Sequence, residues 1–337
     1  MNLPYWIIGV LAGLVSALLF FSASSGSTLA SLIIYLTPLP LFIAGLGWGQ
    51  RALGLALLTG TVFLTAVASL PVAGIFLAID GLLPYVLCQR ALLFRETGLM
   101  APASASGAAP NATHDGSAIE WYPAGHLLIW AAGIAAALIL AVDILLRFTG
   151  YPEGLQQAVA EMLRIYLVEP GVLAKTLQDI NSPLSAEDVA NSVRAVLPSA
   201  SLIVWTLAML GNMWLAQIAV TRSAHAIRPS PAYSYVILPR SLSYVWLAAL
   251  VLACLPGPLA YVAIAVAVIL TLPYFLLGLA VIHVISRRWS VRGLFLGIFY
   301  ALLLFVGWLA IPVSLLGMLE PWLGLRARSL QQAPDRD

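Results

Sequence analysis

Asp80 is the residue of this sequence that is best placed to do chemistry, because it stands near the middle of the apolar run Val72–Leu93. An ionised carboxylate at the centre of a bilayer costs about 2.5–3.5 kcal/mol, so such a residue usually faces a cavity, a charged partner or a proton relay. Gly81 and Pro84 follow it and can loosen the helix, which would free backbone groups to line a site. We therefore expect Asp80 to contact a solute. The alternatives are a carboxyl group held by a neighbouring helix, or a helix boundary that places Asp80 at the membrane interface.

Two further polar residues inside apolar runs are candidates for the same site. Tyr274 follows Pro273, at an expected break in a helix, which makes it a plausible cavity residue. Asn212 follows Gly211 in another run, where amides commonly hydrogen-bond between helices for about 1 kcal/mol or less. A structural role is the simpler explanation for the amide. Asp80, Tyr274 and Asn212 are nevertheless the three residues that we predict to bind substrate.

Two groups of charged residues have a simpler interpretation. Asp143 and Arg147 are four positions apart at the end of an apolar run, a spacing that places both on one side of a helix. We predict an ion pair that anchors the helix near the interface, rather than a clamp for substrate. His283 precedes Arg287 and Arg288 by about one turn, so we expect its ring to reach the headgroup region, with a proton relay as the alternative.

The remaining motifs exclude several classes of function. We find no nucleophile–base pair, metal-ligand spacing, ATP-binding loop or nucleic-acid-binding motif, and the net charge of +2 gives no reason to expect nucleic acid. Cys88 and Cys254 lie in apolar surroundings, where cysteines usually act as small buried hydrophobes. We therefore expect no enzyme activity, no metal or other cofactor and no nucleic-acid partner, and any transport would draw its energy from a partner protein or an ion gradient.

The elements that must position these residues are membrane helices. Hydrophobic residues make up 61% of the 337 residues and charged residues only 9%, against about 45–50% and about 25% in soluble domains. A spanning helix needs about 20 apolar residues. The eight runs of about this length are Leu3–Phe21, Leu29–Gly47, Ala52–Leu70, Val72–Leu93, Leu127–Leu146, Leu202–Val220, Leu259–Ile285 and Gly293–Leu316.

A ninth and shorter run, Leu242–Leu255, ends at a proline–glycine turn signal. The sequence thus predicts an all-α fold, a polytopic transmembrane bundle of eight or nine spanning helices. We expect the first run to be retained as a helix rather than removed as a signal peptide.

The distribution of arginine predicts the orientation. With nine crossings most arginines fall on one side together with the N-terminus, which the positive-inside rule makes the cytoplasmic side of a bacterial inner membrane. Arg326 and Arg328 would then lie outside. Either one run fails to cross, or a break at Pro312 turns the last segment back.

The composition also suggests a division into domains. Residues 1–95 form a four-helix N-terminal half, and residues 96–125, rich in alanine, serine and glycine, form a flexible cytoplasmic linker. Residues 126–325 form a C-terminal half, followed by a polar tail at 326–337. Within the C-terminal half, residues 152–198 carry apolar residues at helical spacing, which predicts amphipathic helices outside the membrane.

A stripe of small residues marks one side of the first run. Gly9, Gly13 and Ala17 recur every four residues, a spacing that lets another helix approach closely. The stripe is either ordinary packing within the bundle or the docking face for a membrane protein partner.

Five stretches of the chain resemble domain-of-unknown-function family 2232, a family of bacterial membrane proteins. They are LPLFIAGLGWG (Leu39–Gly49), GNMWLA (Gly211–Ala216), LPRSL (Leu238–Leu242), YFLLGLAVIH (Tyr274–His283) and GMLEPWLGLR (Gly317–Arg326). That family is distantly similar to the substrate-capture (S) components of energy-coupling-factor transporters. The resemblance implies that Gly9, Gly13 and Ala17 would meet a coupling partner. S components usually have fewer helices than the eight or nine expected here, and no vitamin-binding signature is recognisable.

Together these features predict a transporter-like protein that binds a small solute in an intramembrane cavity near Asp80. Its surroundings would be the lipid bilayer, and its energy would come from a partner or from protons. The competing hypothesis is a non-catalytic membrane scaffold or assembly subunit of a larger complex.

Overall fold

A computed structural model of the chain describes residues 4–97, 111–112, 118–169, 171–231 and 236–331. In these ranges helices form nearly all the regular structure. The α-helices are α1 (Tyr5–Ser22), α2 (Thr28–Ile33), α3 (Pro38–Trp48), α4 (Gln50–Val67), α5 (Leu70–Phe76), α6 (Leu82–Ala91), α7 (Ala124–Phe148), α8 (Leu155–Leu163), α9 (Val172–Asp179), α10 (Ala186–Arg222), α11 (Ser241–Ala253), α12 (Pro258–Ile285), α13 (Arg292–Phe305), α14 (Ala310–Leu323) and α15 (Leu325–Gln331). The strands are β1 (Phe94–Thr97), β2 (Asn111–Ala112) and β3 (Ala118–Trp121).

Within the described ranges, seven helical segments are long and apolar enough to cross a membrane. They are Tyr5–Ser22, Thr28–Trp48, Gln50–Val67, Leu70–Ala91, Ala124–Phe148, Ala186–Arg222 and Pro258–Ile285. An eighth is obtained if α13 and the segment Gly307–Leu323 count as one bent span. The predicted all-α polytopic bundle is therefore confirmed. The marginal run forms α11, whose 13 residues extend roughly 20 Å, short of the roughly 30 Å hydrocarbon core of a bilayer.

The last apolar run is broken rather than straight. The chain leaves the helix at Val306, where φ is −115° and ψ is 78°, and the run bends there by 113°. A break at Pro312 was one of the two alternatives that the sequence left open, and the break lies earlier in the chain. Pro312 falls in the first turn of α14, where backbone N–H groups have no intrahelical partner and a proline therefore breaks no hydrogen bond.

The second half of the bent run, α14, packs closely against α12. A Cβ atom at Gly278 would collide with the Val313 carbonyl oxygen, and a Cβ at Gly317 would collide with the Tyr274 carbonyl oxygen. These two contacts occur in opposite order along the two helices, so α14 runs antiparallel to residues 273–285 of α12. Glycine is required at both positions because the backbones touch.

The end of α14 contains a buried ion pair. Glu320 and Arg326 are 4% and 8% exposed, and the Arg326 Nε donates to Glu320 Oε1 at 3.0 Å. The same carboxylate accepts hydrogen bonds from the backbone N–H groups of Leu325 and Arg326, the first two residues of α15. The positive-inside rule counts basic residues in loops, and Arg326 is instead buried and paired with a carboxylate. Its position is therefore a weaker objection to the predicted orientation than the sequence suggested.

The predicted flexible linker 96–125 has ordered ends. β1 and β3 pair antiparallel, with Phe94 opposite Trp121 and Arg95 opposite Glu120, and the Arg95–Glu120 ion pair measures 2.8 Å. β2 pairs with the other side of β3. The rest of the predicted linker, residues 98–110 and 113–117, lies outside the described residues.

The chain divides into two compact units that do not coincide with the predicted halves. Unit 1 comprises Met1–Ala131, Trp205–Leu238 and Pro273–Asp337, and unit 2 comprises Ala132–Val204 and Pro239–Leu272. Each unit collects segments that are distant in sequence, because helix packing groups segments that composition along the chain cannot relate.

In unit 1 the small-residue stripe of α1 is covered by α4. A Cβ at Gly13 would collide with the Ala56 carbonyl oxygen, and a Cβ at Gly9 would lie 2.7 Å from the Ala52 carbonyl oxygen. Ala17 is fully buried. The structure therefore places this stripe in the packing of the bundle itself, and α4 occupies the face that we had considered for a membrane partner.

Unit 2 has its own apolar core and contains the predicted outer insertion. Ile139, Val262 and Ala265 are buried together. α10 begins with a reciprocal cap, in which the Ser185 N–H donates to Asp188 Oδ2 at 2.9 Å and the Asp188 N–H donates to Ser185 Oγ at 3.1 Å. From this cap α10 continues without interruption to Arg222. The predicted end of the insertion at residue 198 is thus not a helix boundary.

Candidate functional site

Asp80 lies in a widened helical turn within unit 1. Residues Leu77–Gly81 form a single π-helical turn between α5 and α6, a local feature that frequently marks functional sites. The side chain is buried, with 6% exposure. Among the residues that the structure describes, none forms a hydrogen bond or an ion pair with the Asp80 carboxyl group. The carboxyl group is therefore isolated in an apolar environment, which is energetically costly.

Asn212 has a structural bonding pattern. Its Nδ2 donates to the Tyr35 carbonyl oxygen and to the Ala208 carbonyl oxygen, each at 2.7 Å. The first bond joins α10 to the segment that follows α2, and the second is a bond within α10. Both donors of the amide are thereby used, so this side chain connects helices.

Tyr274 is also buried, with 2% exposure, and its carbonyl oxygen lies against Gly317. It lies where α12 and α14 pack against each other. Asp80 thus lies in the π-helical turn, Asn212 in a contact between α10 and the segment after α2, and Tyr274 where α12 and α14 pack. These are three different places in the bundle.

Unit 1 instead contains a cavity of about 660 Å³ that none of the three lines. Apolar side chains from the first turns of α7, from α10 and from α12 form most of its wall, for example Leu127, Leu207 and Leu276. Trp214 adds an aromatic side chain, and Gln217 adds an amide. A volume of this size lies within the range of about 300–1,000 Å³ that small-molecule sites occupy, and a mostly apolar wall with a few polar groups is typical of such sites.

Gly211 forms a bare patch of this wall. It is an interior residue of α10, where glycine is less favourable than alanine by about 1 kcal/mol. A Cβ atom at this position would meet no atom within 4 Å. The glycine therefore does not serve a close helix contact, unlike Gly13 or Gly317. Its effect is to leave the backbone of α10 open to the cavity.

Three basic side chains line the cavity: Arg228, His283 and Arg287. None of the described residues that line it is acidic. The charges of Arg228 and Arg287 give this concave apolar site a positive potential, because the low-dielectric surroundings screen them poorly. The cavity is consequently suited to a ligand that has both an apolar part and a negative charge.

Arg228 is held in place by backbone groups of neighbouring segments. Its guanidinium group donates to the Ala91 carbonyl oxygen at 3.0 Å and to the Tyr122 carbonyl oxygen at 2.9 Å, and it lies 5.9 Å from the centre of the Trp121 ring. Gln217 Nε2 donates to the Arg228 carbonyl oxygen at 2.8 Å. These bonds gather the end of α6, the residue that follows β3 and the end of α10 at one edge of the cavity.

His283, in the last turn of α12, and Arg287, just beyond the end of that helix, lie about one turn apart and form a second basic part of the cavity wall. The His283 Nε2 is 2.7 Å from the Tyr300 hydroxyl oxygen, and Tyr300, in α13, also lines the cavity. Arg287 is exposed. The hydrogen bond thus makes α13, the first half of the bent run, part of the cavity wall.

The sequence placed these basic residues at the membrane surface but did not assign them to a site. Arginine near the end of an apolar run is typical of any cytoplasmic loop, so Arg228 and Arg287 carried no distinguishing signal. Gly211 did carry a signal, because a glycine in the interior of a helix is unfavourable and therefore often has a packing or functional reason. In the part of the chain that the structure describes, no cluster of histidine, cysteine, aspartate or glutamate could hold a metal ion.

The predicted pair Asp143 and Arg147 lies in unit 2, away from these residues in the chain. The Arg147 Nε donates to Asp143 Oδ2 at 2.9 Å, and the Arg147 NH1 donates to the Pro152 carbonyl oxygen at 3.2 Å. Asp143 Oδ1 accepts from the Leu155 backbone N–H at 2.8 Å. The pair therefore fixes the turn between α7 and α8, which is a structural function.

Comparison with known proteins identifies a family. The model of a family described as Predicted membrane protein (DUF2232) matches residues 117–320. The matched residues include the cavity-lining Gly211, Trp214, Leu276 and His283, while the resembling stretch Leu39–Gly49 lies outside the match. No curated protein and no solved structure matches the chain. The matched region contains every cavity residue except Leu46 and Ala91 and covers more than half of the chain, which therefore belongs to the DUF2232 family of predicted membrane proteins.

Proposed function

We propose that this multi-pass membrane protein is transporter-like and binds a small solute in the cavity of unit 1. The observation that carries the proposal is Gly211, a glycine inside an apolar helix whose missing side chain leaves the backbone open to a space of about 660 Å³. A bundle that served only as a scaffold would gain packing energy by filling such a space. An unfilled, polar-edged cavity supports ligand binding instead.

Asp80 has a separate place in this proposal. Its carboxyl group is buried outside the cavity and lacks a described partner, so a substrate contact is no longer its best role. Intramembrane carboxyl groups commonly carry protons in pumps and transporters. We assign Asp80 to proton coupling, with a partner protein as the alternative source of energy. The protein would lie in a bacterial inner membrane with its N-terminus in the cytoplasm, in agreement with the arginine distribution.

Cysteine accessibility tests the proposal directly. The chain has two cysteines, Cys88, which is buried, and Cys254, which is exposed. Gly211→Cys on a Cys254→Ser background would be treated with a charged thiol reagent in right-side-out and in inside-out membrane vesicles. A solute pathway with alternating access predicts that the cavity cysteine is labelled from both sides.

Gly133→Cys is the matched control. Gly133 also lies well inside an apolar helix, α7, and a Cβ there also meets no atom within 4 Å, but it does not line the cavity. The charged reagent should not label it from either side. Labelling of Gly211→Cys from one side alone would indicate a static pocket, and labelling from neither side would indicate a closed one. Either result contradicts a transport role.

A further inference from the structure

We infer that the ligand of this cavity is an anionic lipid, namely an amphiphile with one acidic headgroup and an apolar chain. The inference rests on the proposed solute-binding function and specifies its substrate class. It depends on how apolar and basic residues are distributed along the helices that line the cavity.

The lining of α10 changes from apolar to polar along the helix. Leu207 and Leu210 lie towards its middle, and Gln217 lies nearer its end, where the segment carrying Arg228 begins. The hydrogen bond from Gln217 to the Arg228 carbonyl oxygen places the polar part of this wall at the end of the helix.

The lining of α12 changes in the same direction. Leu276 and Leu277 precede His283 and Arg287, and a separation of about seven residues corresponds to roughly 10 Å along a helix. The ends of α10 and α12 both carry arginines, so the positive-inside rule predicts that they lie on the same side of the membrane. The cavity is then basic near the membrane surface and apolar at depth, which is the orientation of a lipid in its leaflet.

The basic edge offers the groups that acidic headgroups need. Guanidinium groups form paired hydrogen bonds with phosphate or carboxylate oxygens, and the imidazole of His283 and the hydroxyl of Tyr300 add further hydrogen-bonding positions. A cavity of about 660 Å³ is of the size that holds a drug-sized molecule. This size favours an amphiphile with a single chain.

Three probes on the purified full chain in a non-ionic detergent test the inference. They are lysophosphatidylglycerol, which is anionic, lysophosphatidylcholine with the same chain, which has no net charge, and inorganic phosphate. We expect lysophosphatidylglycerol alone to raise the thermal unfolding midpoint, by about 5 °C at saturation. The comparison uses the unaltered protein, so it does not depend on whether any variant folds.

Two pairs of variants locate the binding. Arg287→Gln should weaken the apparent affinity for lysophosphatidylglycerol about 10-fold, whereas Arg222→Gln, at the end of α10 but outside the cavity wall, should leave it unchanged. Gly211→Leu should abolish the shift, because its side chain projects into the cavity where the ligand would lie. Gly54→Leu, which faces open space elsewhere, should retain it.

The possible outcomes separate this inference from the proposed function. Equal shifts with both lysolipids would show that the protein does not recognise the charge of the headgroup. An equal shift with phosphate would show that it does not recognise the acyl chain. No shift with any probe, or equal loss of the shift in Arg222→Gln, would likewise overturn the lipid assignment. In all these cases two-sided labelling of Gly211→Cys would still support the proposed function, which fails separately if that labelling fails.

Discussion

The hydrogen bond between His283 Nε2 and the Tyr300 hydroxyl, 2.7 Å long, ties α13 to the end of α12. The two rings also lie 5.9 Å apart between centroids. None of the described side chains of α13 is buried, so few other contacts hold this helix in place. Its connection to α14 passes through the sharp break at Val306. This single polar contact therefore helps to decide whether α13 stays at the cavity.

We predict that Tyr300→Phe loosens α13. Loss of one hydrogen bond should lower the free energy of unfolding by about 0.5–1.5 kcal/mol, and amide hydrogen exchange should accelerate within residues 292–305 but not in α4. Tyr244→Phe is the control, because Tyr244 is 71% exposed and no described hydrogen bond uses its hydroxyl. Unchanged exchange in α13 would mean that its position does not depend on His283.

The contact between α1 and α4 gives a second prediction. Gly13→Ala places a Cβ against the Ala56 carbonyl oxygen, which should cost about 1–3 kcal/mol of stability because two backbones must separate. Gly54→Ala, on α4 but facing open space, should be neutral or stabilising by up to about 1 kcal/mol. Unfolding by titration with sodium dodecyl sulfate measures both. If the two alanine variants unfolded alike, the close approach of α1 and α4 would be disproved.

The buried pair at the end of α14 should be far more sensitive than the surface pairs. Glu320→Gln leaves Arg326 buried without its counter-charge and weakens the cap of α15, so we expect a loss of about 3–5 kcal/mol. The double variant Glu320→Gln, Arg326→Met should recover part of this loss, because it also removes the buried positive charge.

Arg164 provides the contrasting surface pair. It lies 2.8 Å from Glu161 and its side chain is 60% exposed. The hydrogen bond from Arg164 to Glu161, reinforced by the charges of Glu161 and Glu169, raises the pKa of the guanidinium group. Solvent nevertheless screens the attraction, so Arg164→Gln should not change the unfolding midpoint measurably. A comparable loss for Arg164→Gln and Glu320→Gln would contradict the difference in burial.

Asp80→Asn should preserve the fold. The carboxyl group has no described hydrogen-bond donor or cation to lose, and a neutral amide is less costly to bury than a charge. We therefore expect the midpoint in sodium dodecyl sulfate to stay the same or to rise. Gly211→Cys should be labelled from one side only in this variant if Asp80 couples protons to alternating access. A clear drop in stability would show instead that a neighbouring helix holds the carboxyl group.

The three residues that we predicted to bind substrate do not line the cavity, for a specific reason. Asp80, Asn212 and Tyr274 were chosen because polar groups inside apolar runs are costly, and all three are indeed buried. Burial alone does not reveal which neighbour a side chain meets. The amide of Asn212 donates a hydrogen bond to the carbonyl oxygen of Tyr35, which is distant from it in the sequence. No local sequence pattern predicts such a contact.

The sequence by itself determined that this is a polytopic bundle of membrane helices. The length and polarity of an apolar run are local properties, and they alone decide whether a segment is suited to span a bilayer as a helix. The sequence also placed the Asp143–Arg147 pair on one helix side, since four-residue spacing is a property of the helix. Only the tertiary structure decided that α4 covers the stripe of Gly9 and Gly13, and that Gly211 faces a cavity with Arg228 and His283. A small residue is equally compatible with a close contact and with an open space, and the choice depends on which helix packs opposite it.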